Sequence, residues 1–102
     1  MRRIALICVL LTGCAHKLSP AAAVVRDADP TATSLCTPLD EVAGTSAVAG
    51  TEGLRRARNE ARETAAAKGA TAIVWTAASG TAFPAFTLVT GRAYRCAEAQ
   101  VR

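Results

Sequence analysis

The order of apolar and polar positions predicts an α+β domain behind an N-terminal apolar segment. Residues 4–11 form an unbroken apolar run, whereas residues 51–68 carry apolar side chains at the spacing of a helix. Residues 39–48, 72–76 and 86–96 have the alternating or β-branched patterns of strands. This order predicts a small three- to four-stranded sheet with one helix packed on a face, in β-α-β-β order.

The helix predicted over residues 51–68 has an apolar stripe and a charged side. The stripe consists of Leu54, Ala57, Ala61 and Ala65. The opposite side carries Arg55, Arg56, Asn59, Glu60, Arg62 and Glu63. Thr51 is a suitable N-cap, and Lys68 followed by Gly69 suits the C-terminal end. Because alanine is small, the stripe predicts a helix that lies close to the surface it covers.

Several strand residues predict irregularities. Gly44 indicates a bulge or a bend in the first strand, and Gly91 indicates an interruption of the last. Residues 79–84 predict a turn, and residues 23–26 predict a further short strand. We expect the strands before and after the helix to run parallel, and the last two strands to form an antiparallel pair.

The N-terminal segment has the features of a secretory signal peptide. Arg2 and Arg3 precede the apolar run, and small residues follow it at Thr12 and Gly13. As a helix, the run would be about 12 Å long, because each residue adds about 1.5 Å. It is too short to cross a hydrocarbon core of about 30 Å. The alternative is a short buried helix of the folded domain, which the arginines and the terminal position disfavour.

Residues Leu11-Thr12-Gly13-Cys14 resemble the lipobox of bacterial lipoproteins. The resemblance implies transfer of a diacylglyceryl group to the Cys14 thiol, cleavage before Cys14 and acylation of the new amine. The membrane would then be a partner through the lipid on Cys14, because two or three acyl chains hold a protein on a bilayer stably. Ordinary cleavage after Gly13, without lipid, is the alternative.

This processing divides the chain into three parts. We expect a signal peptide at 1–13, a lipidated tether at 14–22 and a single small α+β domain at 23–102. An aspartate after the lipidated cysteine would retain a lipoprotein at the inner membrane, but Ala15 occupies that position. In a Gram-negative cell, the expected location is therefore the periplasmic face of the outer membrane.

The cysteines fit an exported protein. Of the four, Cys8 leaves with the signal peptide and Cys14 carries the lipid, so Cys36 and Cys96 remain. The simplest interpretation is one disulfide between Cys36 and Cys96 in an oxidising compartment. A redox-active pair lacks the CxxC spacing, and a metal site lacks a second cluster of ligands.

The remaining residues contain no recognisable catalytic, cofactor or metal site, which predicts a protein that is not an enzyme. The single histidine, His16, lies in the tether, where a general base would have no fixed geometry. Asp40 and Glu41 are adjacent in a strand and should point to opposite faces. Loss of Arg2 and Arg3 with the signal peptide lowers the net charge from +4 to +2, which argues against nucleic acid as a partner.

A few side chains are candidates for contact with a partner. Trp75 is expected in the core rather than at a partner site. Phe83-Pro84 with Phe86 is either an exposed contact or part of the core, because aromatic residues in a loop often mark a partner site. Arg55, Arg56, Arg58 and Arg62 could bind anionic lipid or an acidic partner, but the interleaved Glu60 and Glu63 favour a solvated face.

Four blocks of sequence together resemble a known family. They lie at residues 35–44, 57–61, 66–71 and 91–96, behind the lipobox. The chain is similar over residues 22–97 to small bacterial lipoproteins related to the signalling domain of the Rcs outer-membrane stress sensor, RcsF. The resemblance implies a small sheet with one helix and a disulfide that joins Cys36 to Cys96. It also implies a binding or stress-sensing module whose partner is another envelope protein; a structural lipoprotein is the alternative.

Overall fold

The structure, a computed structural model, describes residues 18–97. Its elements are α1 (Pro20–Ala23), β1 (Arg26–Asp27), β2 (Thr37–Ser46), α2 (Gly50–Ala67), β3 (Ala72–Thr81) and β4 (Phe86–Arg95). The long elements follow the predicted β-α-β-β order. They form an α+β domain in which one main helix packs on a four-stranded mixed sheet.

The sheet has the order β1-β3-β4-β2. Both β2 and β3 pair antiparallel with β4, so β2 and β3 run parallel to each other, as predicted. They are not neighbours, because β4 lies between them. The short strand β1 pairs parallel with the start of β3, with Arg26 opposite Ala72 and Asp27 opposite Ile73.

The alanine stripe of α2 lies directly on the sheet. Ala57, Ala61 and Ala65 are fully buried, and they belong to one core cluster with Val42, Ile73 and Val89 among others. A Cβ atom added at Gly44 would lie 1.8 Å from the carbonyl oxygen of Ala57. The predicted close approach of the helix is therefore confirmed.

Two strand glycines have a different role from the predicted one. Gly44 pairs in register with Val89, and the irregularity in β2 lies between Pro38 and Asp40 instead. Gly91 does not interrupt β4; it lies opposite Trp75, and a Cβ atom there would be 2.8 Å from Cγ2 of Ile73. Both glycines make space for a neighbour, α2 at one and the side chains of β3 at the other.

The hairpin of β3 and β4 is longer than predicted. The strand predicted over 72–76 continues to Thr81, because residues 77–81 pair in register with β4. A bulge lies between Trp75 and Ala77, where the register shifts. The turn predicted over 79–84 is therefore confined to residues 82–85.

The segment before the sheet also differs from the sequence-based expectation. Residues 20–23 form the short helix α1, and only Arg26–Asp27 form a strand. The Ser19 hydroxyl caps α1, and both its hydroxyl and its backbone N–H donate to the Glu63 carboxylate at 2.8 Å. Ala22 is fully buried as well. Contacts with the rest of the domain therefore begin at Ser19, within the segment expected to be a tether (residues 14–22).

The N-cap of α2 was also predicted wrongly. The helix begins at Gly50, and Ala49 occupies the cap position without a side-chain hydrogen bond, so Thr51 lies inside the first turn. Gly50 has φ 76°, a left-handed conformation that favours glycine and turns the chain from β2 into the helix.

Candidate functional site

The two cysteines within the described residues form a disulfide. Cys36 is joined to Cys96, as predicted, and links the residue before β2 to the residue after β4. Both cysteines are buried and pack on Ala72. The bond is therefore shielded from solvent thiols and fastens the ends of two paired strands. Cys14 and His16 lie outside the described residues, so lipidation stays a prediction.

The acidic pair in β2 does not form a site. The carboxylate of Asp40 lies 3.2 Å from the Lys68 ammonium, whereas that of Glu41 lies 3.3 Å from the Arg92 guanidinium. The hydrogen bond from Lys68 lowers the pKa of Asp40. The two carboxylates therefore pair with separate cations, on α2 and on β4, and not with a common group.

The arginines of α2 divide into two groups with different partners. Arg55 and Arg56 both bind Glu52, and their hydrogen bonds lower the pKa of this exposed carboxyl to about 2. Arg58 and Arg62 instead lie over the ring of Trp75 in β3. The basic face predicted from the sequence is therefore not continuous.

Asp27, Arg58, Arg62 and Trp75 form a compact group, here called the Trp75 cluster. The guanidinium carbons of Arg58 and Arg62 lie 5.5 Å and 5.6 Å from the centroid of the Trp75 ring, within range of a cation–π interaction. The Asp27 carboxylate accepts hydrogen bonds from the Trp75 indole, at 2.9 Å, and from Arg62. The cluster thus connects β1, α2 and β3 at one side of the sheet.

The cluster changes the ionisation of Asp27. Burial raises the pKa of Asp27, but the hydrogen bonds from Trp75 and Arg62 and the charges of Arg62 and Arg58 together lower it. Asp27 is hydrogen-bonded to Arg62, whereas Arg58 acts on it only through its charge. In the described part of the chain no carboxylate lies within ion-pairing distance of Arg58, and its buried Nε atom has no hydrogen-bond partner.

We expect Asp27→Asn to lower the free energy of unfolding by about 1 kcal/mol at neutral pH, because it removes a half-exposed ion pair that solvent screens. The folded-state pKa of Asp27 is below the ordinary value of 3.8. The carboxylate therefore stabilises the fold fully above about pH 4, and this contribution is lost as the pH falls through the lower folded-state value. Urea unfolding between pH 2 and 7 would measure both effects.

The control for this prediction is Glu41→Gln, which removes an exposed carboxylate paired with Arg92 on β4. Its stability should change by less than about 0.5 kcal/mol. A loss for Asp27→Asn that does not shrink at acid pH would contradict the assigned role of Asp27.

Residues 74–91, the outer part of the β3–β4 hairpin, present an uncharged, partly aromatic surface. No charged residue occurs from Gly69 to Gly91. Phe83 at the tip is 96% exposed and Phe86 is 42% exposed, which places both outside the core. Trp75, by contrast, is partly buried against the core cluster, in agreement with its prediction. The tip is therefore a candidate contact for a partner.

A groove lies between this hairpin and the first turns of α2. Its volume is about 410 Å³. It is lined by small or apolar residues that include Ala49, Leu54, Ala78, Gly80 and Phe86. Beside it, the outer edge of β3 is open, because within residues 18–97 only β1 pairs there, and it reaches no further than Ile73. Backbone groups of an unpaired edge can accept another strand.

Neither the Trp75 cluster nor the open edge of β3 was predicted from the sequence. Arg58 and Arg62 are four residues apart, so they lie on one side of the helix. This spacing indicates that the two arginines could share a partner. Their partner could not be identified without knowing which side of α2 faces β3. Nothing in the sequence indicated that β1 would be only two residues long and would leave the edge of β3 open.

Other kinds of site find no support in the described residues. Within residues 18–97 no group of three His, Cys, Asp or Glu side chains could hold a metal ion. Neither helix in the described part is both long and apolar enough to cross a membrane. Comparisons with family models, curated proteins and solved structures find no match to this chain. The resemblance to the RcsF-like lipoproteins therefore stays a prediction.

Proposed function

We propose that the protein is a lipid-anchored bacterial envelope protein whose domain binds another envelope protein without catalysing a reaction. The anchor is the lipid on Cys14, and the location is the periplasmic face of the outer membrane. The observation that carries the proposal is the lipobox-like Leu11-Thr12-Gly13-Cys14, which directly follows a basic start and a short apolar run. The disulfide of Cys36 with Cys96 supports it, because such bonds persist in oxidising compartments.

The binding role is supported by the uncharged outer part of the β3–β4 hairpin, residues 74–91. An exposed phenylalanine at its tip, an apolar groove beside it and an open strand edge together form a surface that suits contact with protein. Envelope-stress sensing, as in the RcsF-like family, is one form that this binding would take.

A structural lipoprotein without a signalling role is the second candidate. It is favoured by two departures from the stress sensor. That sensor's domain has four cysteines in two bonds, whereas this chain has only Cys36 and Cys96 after residue 14. The stress sensor's tether is long and rich in proline. The tether expected here, residues 14–22, is short and contains only Pro20.

The proposal predicts that Cys14→Ser abolishes membrane attachment in cells. The serine hydroxyl cannot receive the diacylglyceryl group, so signal-peptide cleavage before residue 14 should fail as well. Mass spectrometry of the purified protein would show the added lipid and the new N-terminus in the wild type only. A photo-crosslinker at Phe83 should in addition capture one dominant envelope protein.

Two matched controls accompany this experiment. Cys8→Ser removes a thiol from the apolar run and should leave lipid attachment unchanged. A photo-crosslinker at Thr64, which is exposed on α2, should not capture the same protein as one at Phe83. An unprocessed, lipid-free wild-type protein would refute the anchor. A diffuse pattern of cross-links from Phe83 would refute the binding role and favour the structural candidate.

A further inference from the structure

We infer that the outer edge of β3 binds an extended acidic segment of another protein as an added strand. In this complex an apolar side chain of the segment fills the groove beside Leu54, and a carboxylate of the segment pairs with Arg58. The inference rests on the protein-binding part of the proposed function and specifies the chemistry of the partner. It does not depend on the lipid anchor.

The first observation is the open edge itself. Strand β1 covers β3 only at Ala72 and Ile73, so in the described structure residues 74–81 pair with β4 alone. Half of their backbone N–H and C=O groups point away from the sheet. Edges are commonly protected from strand addition by charged residues or proline, but this one carries neither. Only the bulge at Thr76 interrupts it.

The second observation is the groove along this edge. Ala78 and Gly80 of β3 form one wall and Leu54 of α2 forms another. Because Ala78 and Gly80 have small or no side chains, the space beside them stays open. A strand added to β3 would direct alternate side chains toward this face, and an apolar one would fit the groove.

The third observation is the state of Arg58. Its guanidinium stacks on Trp75, and within residues 18–97 no carboxylate lies within ion-pairing distance of it. Arg62, in contrast, is paired with Asp27. A carboxylate supplied by a ligand at this point would neutralise Arg58 through charge-assisted hydrogen bonds.

The spacing of these features defines the partner. Leu54 and Arg58 are one helical turn apart, at about 5–6 Å between their Cβ atoms. Alternate residues of a strand are about 6.6 Å apart on one face. A single added strand can therefore place a carboxylate at Arg58 and an apolar side chain beside Leu54 when these two residues are separated by one position.

A second copy of this chain fits the edge less well. Its β3 has no carboxylate to offer, because no charged residue occurs from Gly69 to Gly91. The acidic residues in its β2 edge, Asp40 and Glu41, are already paired with Lys68 and Arg92. The observations therefore favour a different protein with an unpaired acidic residue.

The test uses the full-length protein in mild detergent and a synthetic eight-residue peptide of threonine and valine. The peptide carries one aspartate and one leucine separated by one position. We expect it to bind and to slow amide hydrogen exchange within residues 74–81. Arg58→Gln should weaken binding about tenfold, as for loss of a hydrogen-bonded charge. Arg56→Gln, on the other flank of α2, should change the affinity by less than about twofold.

A second peptide, with asparagine in place of the aspartate, tests the same contact without altering the protein. It should bind about tenfold more weakly to the wild type and equally well to the wild type and Arg58→Gln. The inference is overturned if the acidic peptide does not bind, if protection appears along β2 instead, or if Arg56→Gln and Arg58→Gln weaken binding equally. Self-association that protects residues 74–81 without peptide would also overturn it.

These outcomes can be separated from failure of the proposed function. If the peptide does not bind but a photo-crosslinker at Phe83 captures one dominant protein, the domain still binds a partner. The binding surface is then the hairpin tip and not the edge of β3. Peptide binding by a protein that carries no lipid on Cys14 would refute the anchor and retain the edge site.

Discussion

Replacing Cys36 and Cys96 together by alanine is expected to lower the free energy of unfolding by about 4 kcal/mol. The bond spans 60 residues, and in the chain-entropy model a loop of this size restricts the unfolded chain by about that amount. A domain this small has a total stability on the order of 5–10 kcal/mol. The variant should therefore be close to unfolding at physiological temperature.

Urea unfolding followed by circular dichroism would measure this loss. Wild-type protein unfolded in the presence of a reductant provides the matched control, because it should lose the same stability. The double variant itself should be insensitive to the reductant. Equal stability of the wild type and the double variant under oxidising conditions would show that Cys36 and Cys96 do not stabilise the fold.

Gly44→Ala is expected to destabilise the domain by about 3 kcal/mol or more, at the upper end of the range for overpacking. The new methyl group would lie 1.8 Å from the carbonyl oxygen of Ala57 and 2.9 Å from the backbone nitrogen of Ala61. Both are backbone atoms, so no side-chain rotation relieves the contact. The helix α2 would have to move away from the sheet, which separates the alanine stripe from its core contacts.

Two further variants make this prediction specific. Ala43→Ser alters the neighbouring exposed residue and should change stability by less than about 0.5 kcal/mol. Ala57→Gly removes a side chain but not the obstructing carbonyl, so the double variant Gly44→Ala, Ala57→Gly should be no more stable than Gly44→Ala. Rescue by Ala57→Gly would contradict a backbone contact. Thermal unfolding monitored by circular dichroism would measure the series.

The sequence predicted the elements whose burial follows a simple period. The spacing of Ala57, Ala61 and Ala65 predicted both a helix and its close approach, because only small side chains allow the backbones to come near. The apolar run at residues 72–76 predicted the buried start of β3. The pairing of Cys36 with Cys96 followed from the small number of cysteines in a chain expected to be exported.

The errors occurred where a residue's role depends on a neighbour distant in sequence. A glycine in a strand is compatible with a bulge or with a close approach, and only the positions of α2 and Trp75 decide between them at Gly44 and Gly91. The second half of β3, residues 77–81, consists of small exposed residues without a burial pattern, so pairing with β4 was not predictable. The Trp75 cluster was not predictable either, because its residues come together only when β1, α2 and β3 pack against one another.

The position of β4 has a consequence for how the chain reaches its folded state. This strand is the central partner of both long strands, yet it follows them in the chain, and Cys96 comes after it. Neither β2 nor β3 can form its backbone hydrogen bonds with β4 until residues 86–95 are free to fold. A chain threaded through a secretion channel from its amino end would thus complete its sheet only after residues 86–95 had crossed.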